Sequence, residues 1–154
     1  MNKSGTRTAG ADVAREVGRE CLLTRARKVS RVITNIYDRA VRPSGVNSTQ
    51  MSLLATIARL DGASRAEIGR ANHQERSTLT RNLALLLKEG WVEELPPQGR
   101  SRPIILSSAG RRLLVEAVPA WRKAQVEARE LLGDEGAAAL IDVADALPLD
   151  ILTN

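Results

Sequence analysis

Polar and basic side chains are concentrated over residues 76–82, in a segment whose leucines recur at helical spacing. Leu79, Leu83 and Leu86 lie at i, i+4 and i+7, which predicts a helix with one buried face. Guanidinium groups can make bidentate contacts to guanine and carboxamides to adenine, while hydroxyl groups reach bases or phosphates. Because an α-helix fits the major groove of DNA, we expect the first two turns of this helix to contact DNA. The predicted contact residues are Arg76, Ser77, Thr78, Thr80, Arg81 and Asn82.

The segment before this helix completes the order of a helix-turn-helix. Ser64 and Glu67 have the spacing of a capping box, which predicts a short helix that ends near Ala71. A polar turn over residues 72–74 separates it from the second helix, predicted over about 75–89. This arrangement is typical of proteins that place the second helix in a DNA groove.

A β-hairpin is predicted directly after the second helix. Residues 91–95 and 102–106 are expected to form its strands, and two prolines and a glycine lie between them. Arg100 and Arg102 then flank the tip of the hairpin. We expect both to contact DNA through electrostatic attraction to a narrow minor groove.

Long amphipathic helices are predicted on both sides of this region. Residues 22–40 and 117–131 each carry a narrow apolar seam of the kind that packs against another helix. The first of these helices is predicted over 11–42. Pro119 is expected to kink the later helix, since proline lacks the N–H donor, and Gly133 to end it before a last amphipathic helix.

The predicted fold is therefore mostly α with a small β-hairpin wing. A winged helix-turn-helix domain is flanked by N- and C-terminal dimerisation helices. The predicted boundaries are a disordered arm at 1–10, an N-terminal dimerisation helix at 11–43, the DNA-binding region at 44–112 and C-terminal dimerisation helices at 113–154. Asn47 or Ser48 is expected to cap the first helix of the DNA-binding region.

Charge and composition agree with a protein that binds a polyanion. The chain has a net charge of +5, and residues 64–112 are basic whereas residues 113–154 are acidic. One cysteine excludes an intramolecular disulfide, and no apolar run is as long as the roughly 18–20 residues of a membrane span. We therefore expect a cytoplasmic protein that makes no membrane contact.

Nothing in the sequence indicates an enzyme. Catalysis needs a nucleophile, a base and a group that orients them, and no nucleophile motif, phosphate-binding loop or metal-ligand pattern is present. With one cysteine and one histidine, no ordinary zinc site can be assembled within a chain. We predict no catalytic residue, no metal and no cofactor.

Several ordered motifs resemble the MarR family of transcription regulators. They are the run from Glu75 to Leu83, then Gly90-Trp91-Val92, the segment 45–50, and the segment from Arg100 to Ser107. The resemblance covers roughly residues 13–147. It implies a homodimeric transcription factor, usually a repressor, whose first and last helices interleave and which binds a pseudo-palindromic operator in double-stranded DNA. Many members are released from DNA by small ligands or by oxidants.

The resemblance leaves three further questions open. A small organic effector would lodge near Arg31, Tyr37, Met51 and Leu54, although ordinary core and surface is the preferred interpretation of these residues. Cys21 is a candidate for thiol-based oxidant sensing, since one branch of the family has a cysteine near this place, but a small buried helix residue is preferred. A winged-helix module that binds protein instead of DNA is the remaining alternative.

Overall fold

A computed structural model describes residues 3–97, 99 and 101–148 of the chain. They form two compact units, one up to Asn35 and one from Ile36 onward, which are described separately below. The elements run in the order α1 (Lys3–Glu20), α2 (Leu22–Val41), α3 (Ser48–Leu60), α4 (Arg65–Ala71), α5 (Arg76–Lys88), β1 (Val92–Glu94), β2 (Ile104–Leu106) and α6 (Ser108–Asp145). A mostly helical chain with one antiparallel hairpin confirms the predicted fold class.

The first unit differs from the single helix predicted over 11–42. Residues 3–10, expected to be a disordered arm, belong to α1, and the chain leaves the helical conformation at Cys21. The Arg25 guanidinium donates to the carbonyl oxygens of Gly18 (2.7 Å) and Arg19 (2.9 Å). These carbonyls lie at the end of α1, where backbone N–H groups of the same helix are no longer available as donors. The Arg25 side chain from α2 therefore supplies the missing hydrogen bonds.

The core of the second unit joins α3, α4, α5 and the hairpin. Leu79, Leu83 and Leu86 are buried, as their spacing predicted. They belong to an apolar cluster whose other buried members are Leu53, Leu54, Ile57, Ala63, Ile68, Val92, Ile104 and Leu106. Burial of these side chains on one side of α5 leaves its polar side free for another role.

The hairpin pairs Val92 with Leu106 and Glu94 with Ile104. Ile104 also forms a bridge to Ala63, donating its N–H to the Ala63 carbonyl (2.9 Å) and accepting from the Gly62 N–H (3.2 Å). The segment before α4 is thereby attached to β2. No sequence pattern predicted this link between the hairpin and the helix-turn-helix.

Two capping boxes define where α3 and α4 begin. Asn47, and not Ser48, caps α3: its Oδ1 accepts from the Gln50 N–H (2.8 Å), and Gln50 Oε1 accepts from the Asn47 N–H (2.9 Å). Ser64 and Glu67 form the predicted box at α4. Hydrogen bonds from Ser64 hold the pKa of the Glu67 carboxyl below its usual value.

The end of α5, the hairpin and the start of α6 meet at a junction formed by Gly90, Trp91, Ser107 and Gly110. The Ser107 hydroxyl donates to the Gly90 carbonyl (2.6 Å) and accepts from the Gly110 N–H (3.0 Å), while the Ser107 N–H donates to the Trp91 carbonyl (3.0 Å). A Cβ atom at Gly110 would lie 2.0 Å from the Trp91 oxygen. Only glycine permits the backbones to approach this closely.

Helix α6 is interrupted at Gly133, whose φ of 70° and ψ of 163° lie in a region that is essentially restricted to glycine. This confirms the predicted break. The kink expected at Pro119 is not observed, since the backbone angles depart from helical values at Gly133 alone among the described residues of α6. Proline already has a helical φ, and α6 accommodates it with its helical angles intact. No helix within the described residues is long and apolar enough to cross a membrane.

We predict that Gly110→Ala strongly destabilises the fold, because the new methyl group meets a backbone oxygen that cannot rotate away. Overpacking at the upper end of its usual range, about 3 kcal/mol, is expected. Gly136→Ala on the same helix is the matched control, since its Cβ would make an ordinary contact of 3.6 Å. It should stabilise by about 0.5–1 kcal/mol. Urea denaturation of both variants measures the difference, and equal midpoints would contradict the close approach at the junction.

Candidate nucleic-acid interface

The turn between α4 and α5 is fixed by polar contacts. The Thr56 hydroxyl, on the buried side of α3, lies 2.6 Å from Asn72 Oδ1, and the Gln74 N–H donates to the Gly69 carbonyl (2.9 Å). His73 adopts a positive φ of 47°. The sequence predicted this polar turn over residues 72–74 but not the residue that anchors it. The anchor is Thr56, eight residues before Ser64 and invisible to any local pattern.

A cleft of about 980 Å³ opens between α4 and the first turns of α5. Its wall includes the predicted contact residues Arg76, Ser77 and Thr80, together with residues that were not predicted to contact DNA. Those are Arg65, Ala66, Gly69, Arg70, His73, Gln74, Glu75 and Leu79. Three arginines from two helices make this a cationic surface suited to an anionic ligand.

The polar atoms of this cleft are only partly satisfied. His73 Nδ1 and Gln74 Oε1 are buried and have no hydrogen-bond partner within the described part of the chain. Glu75 caps α5 without a side-chain hydrogen bond to its first turn. Buried polar groups are normally paired, so these atoms are expected to meet water or a ligand.

The predicted contact residues of α5 are arranged as the helical spacing implied. Arg76, Ser77, Thr80 and Arg81 are exposed, whereas Thr78 and Asn82 are half-buried. The Thr80 hydroxyl donates to the Arg76 carbonyl (2.7 Å), which leaves the hydroxyl oxygen able to accept a hydrogen bond. The structure therefore gathers Arg76, Ser77 and Thr80 along one cleft and leaves Arg81 exposed on the same helix.

The hairpin brings a further cation close to α4. Arg102 Nη1 lies 3.8 Å from Glu94 Oε2, and the Arg65 guanidinium bonds to the other oxygen of the same carboxylate. Arg65 was missed by sequence reasoning, although it directly follows the capping residue Ser64. Arg100, with Gln98, lies outside the described residues, so its predicted contact stays a prediction.

The predicted effector residues fall into different environments. Leu54 is fully buried in the main core, and Met51 is buried in a smaller cluster with Val41, Val46 and Ala117. The Tyr37 hydroxyl hydrogen bonds to Gln125 of α6, and burial raises the pKa of its phenol. Arg31 is an exposed residue of the first unit. Met51 and Leu54 thus lie in different clusters of the second unit, and the role of the four residues stays a prediction.

Cys21 lies in the break between α1 and α2 and is partly exposed, so the preferred interpretation as a buried residue inside a helix is wrong. Hydrogen bonds from the Thr24 side chain and N–H, and the nearby Arg25 charge, lower the pKa of its thiol. A thiolate at the start of a helix is a recognised reactive environment. Within the described residues, no three potential metal ligands come together.

A short helix, a tight turn, a second helix with an exposed polar side and a β-hairpin define a winged helix-turn-helix protein. A sequence model of the MarR family matches residues 44–102. The chain is 36% identical to the M. tuberculosis transcriptional regulator MosR, solved in complex with DNA, with a TM-score of 0.69 over 82% of this chain and 98% of that one. The chain belongs to the MarR family of transcriptional regulators, which confirms the predicted regulator and the prediction that it is not an enzyme.

More distant structures share the fold. A mutant MarR from E. coli complexed with operator DNA has a TM-score of 0.72 at 20% identity, covering 84% of this chain and 91% of that one. A probable transcriptional regulator from Pseudomonas aeruginosa has a TM-score of 0.72 at 19% identity, covering 82% and 96%. No curated protein matches the chain at a significant level.

We predict that the Cys21 thiol reacts with iodoacetamide at lower pH than an ordinary cysteine does. Only the thiolate reacts, and a lowered pKa places the thiolate at lower pH. Thr24→Val removes the hydroxyl donor and should move the midpoint of the alkylation rate to higher pH, whereas Thr24→Ser should leave it in place. Mass spectrometry across a pH series provides the rates. Identical midpoints for all three proteins would exclude Thr24 as the cause of the lowered pKa of the Cys21 thiol.

Proposed function

We propose that this protein is a sequence-specific DNA-binding regulator that acts in the cytoplasm as a homodimer on a pseudo-palindromic operator, as a repressor released by a small effector. The observation that carries the proposal is the placement of Arg76, Ser77 and Thr80 along one cationic cleft at the start of α5. The relatives solved with DNA and with operator DNA support the same ligand for this chain.

The geometry of α5 supports different roles in DNA binding for different positions. Residues of the first two turns are exposed on the side opposite the buried leucines, and these are the turns that meet base edges in helix-turn-helix proteins. Lys88, in the last turn of α5, is exposed like Arg81 but lies about two turns farther along the helix. Its charge can attract the DNA backbone but should carry little sequence information.

A homodimer is supported by apolar surface that each unit leaves uncovered. In the first unit, Leu22 and Leu23 are 84% and 60% exposed. In the second unit, the C-terminal half of α6 exposes Leu131, Leu140, Ile141 and Val143. Contiguous apolar patches on helices mark interaction surfaces, and a second copy of the chain would cover both. A two-fold dimer then presents two α5 helices about one helical turn of DNA apart.

A small organic effector remains the expected means of release. Tyr37 is the best candidate of the four predicted residues, because its half-buried hydroxyl is already held by Gln125. A thiol switch at Cys21 is the second candidate, favoured by the lowered pKa of that thiol. No contact in the described residues favours a module that binds protein instead of DNA.

We predict that Arg81→Ala reduces discrimination between operator and scrambled DNA, because a bidentate contact to a base is worth about 1–3 kcal/mol. Lys88→Ala is the matched control, since it removes the same charge from the same helix. It should weaken binding to both duplexes alike. The operator duplex is obtained first by selection from random oligonucleotides with the unaltered protein, and fluorescence anisotropy then measures both affinities. Loss of discrimination in Lys88→Ala alone would reverse these assignments.

We further predict that Leu140→Glu with Ile141→Glu shifts the protein toward the monomer, since two buried carboxylates would oppose an apolar interface. Glu135→Gln, an exposed change in the same helix segment, should leave the assembly unchanged. Sedimentation velocity at micromolar concentration measures the mass. A monomer for the unaltered protein would rule out the proposed dimer.

A further inference from the structure

One carboxylate lies between two arginines that come from different elements. Glu94, at the end of β1, bonds to the guanidinium of Arg65 at the start of α4, and its second oxygen lies 3.8 Å from Arg102 Nη1. The Glu94 side chain is 25% exposed, against 41% for Arg65 and 64% for Arg102. The anion is thus the more fixed partner, and the two cations are the more accessible ones.

Both cations belong to the surface proposed to meet DNA. Arg65 lines the same cleft as Arg76, Ser77 and Thr80. Arg102 follows the hairpin tip and precedes β2. Phosphate groups of DNA would therefore compete with Glu94 for the same guanidinium groups, and the carboxylate itself would be repelled by the phosphates.

Cationic side chains that a carboxylate already neutralises contribute little to the affinity for the DNA phosphate backbone. Sequence-independent binding depends on the number of phosphates that free cations neutralise, each with the release of condensed counterions. We propose that Glu94 is an internal counter-ion that holds Arg65 and Arg102 and keeps the affinity for DNA of any sequence low. The proposal rests on the proposed function. Because Glu94 lowers the sequence-independent affinity, base contacts from α5 would supply a larger share of the total binding free energy.

The test compares Glu94→Gln with Glu93→Gln. The two residues are adjacent in β1, both changes remove one negative charge, and their side chains point to opposite faces of the strand. Glu93 is exposed and has no ion pair within the described residues. Glutamine preserves the shape at both positions, and circular-dichroism melting checks the fold.

The probes are two 30-base-pair duplexes, one selected with the unaltered protein and one scrambled. Glu94→Gln should bind both several-fold more tightly at 50 mM salt. Its advantage should fall about 3.5-fold between 50 and 200 mM salt, as one further phosphate contact with a slope near −0.9 implies. Glu93→Gln should resemble the unaltered protein in both affinity and slope.

A second comparison keeps the proposal testable if Glu94→Gln unfolds. Arg102→Gln in the unaltered protein should lower the salt slope by clearly less than the roughly 0.9 of a free cation, because Glu94 shares its single negative charge between Arg102 and Arg65. This arm needs only the Arg102→Gln variant; where Glu94→Gln folds, the same change in its background should also remove the gained slope. A full slope loss from Arg102→Gln in the unaltered protein would overturn the counter-ion role.

The outcomes separate this inference from the proposed function. Weaker binding of Glu94→Gln to both duplexes, with an unchanged slope, would mean that the carboxylate only holds the hairpin in place and would overturn the inference. If the unaltered protein does not distinguish selected from scrambled DNA, the proposed function itself fails.

Discussion

The arrangement of the second unit depends on how closely two backbones approach at one junction. Ser107 bonds to Gly90 and Gly110 through its hydroxyl and to Trp91 through its N–H, and Gly110 leaves no room for a side chain against the Trp91 carbonyl. Helix α5 ends there, the hairpin returns there and α6 begins there. These few hydrogen bonds therefore fix the relation between the helix proposed to read DNA and the long helix that leaves the domain.

On the proposed DNA surface, the Glu94 carboxylate and the DNA phosphates would compete for the same arginines. Arg65 of α4 and Arg102 of the hairpin converge on Glu94, while Arg76 at the start of α5 faces an open cleft. A protein that must find one sequence among many cannot rely on cations alone, because the backbone presents the same phosphates everywhere. Pairing some cations with a carboxylate while leaving others open to DNA limits the sequence-independent part of the affinity.

Sequence patterns predicted the elements whose causes are local. The leucine spacing of α5, the capping box at Ser64 and the break at Gly133 each depend on residues within a few positions, and all three are observed. Contacts between distant segments could not be predicted in this way. The Thr56–Asn72 bond, the Arg65–Glu94 ion pair and the Ala63 bridge to β2 join residues 16, 29 and 41 positions apart, so they emerge only from the folded chain.

Gly133 gives the end of the chain an unusual dependence on a single position. A residue with a side chain could adopt the φ and ψ values of Gly133 only with considerable backbone strain. A replacement would therefore favour a straight continuation of α6. The residues beyond it, including Leu140 and Val143, would then be carried in a new direction with their own helix intact. A change at this codon would redirect the apolar surface of the proposed dimer, which offers duplicated regulators in one genome a route to separate assemblies.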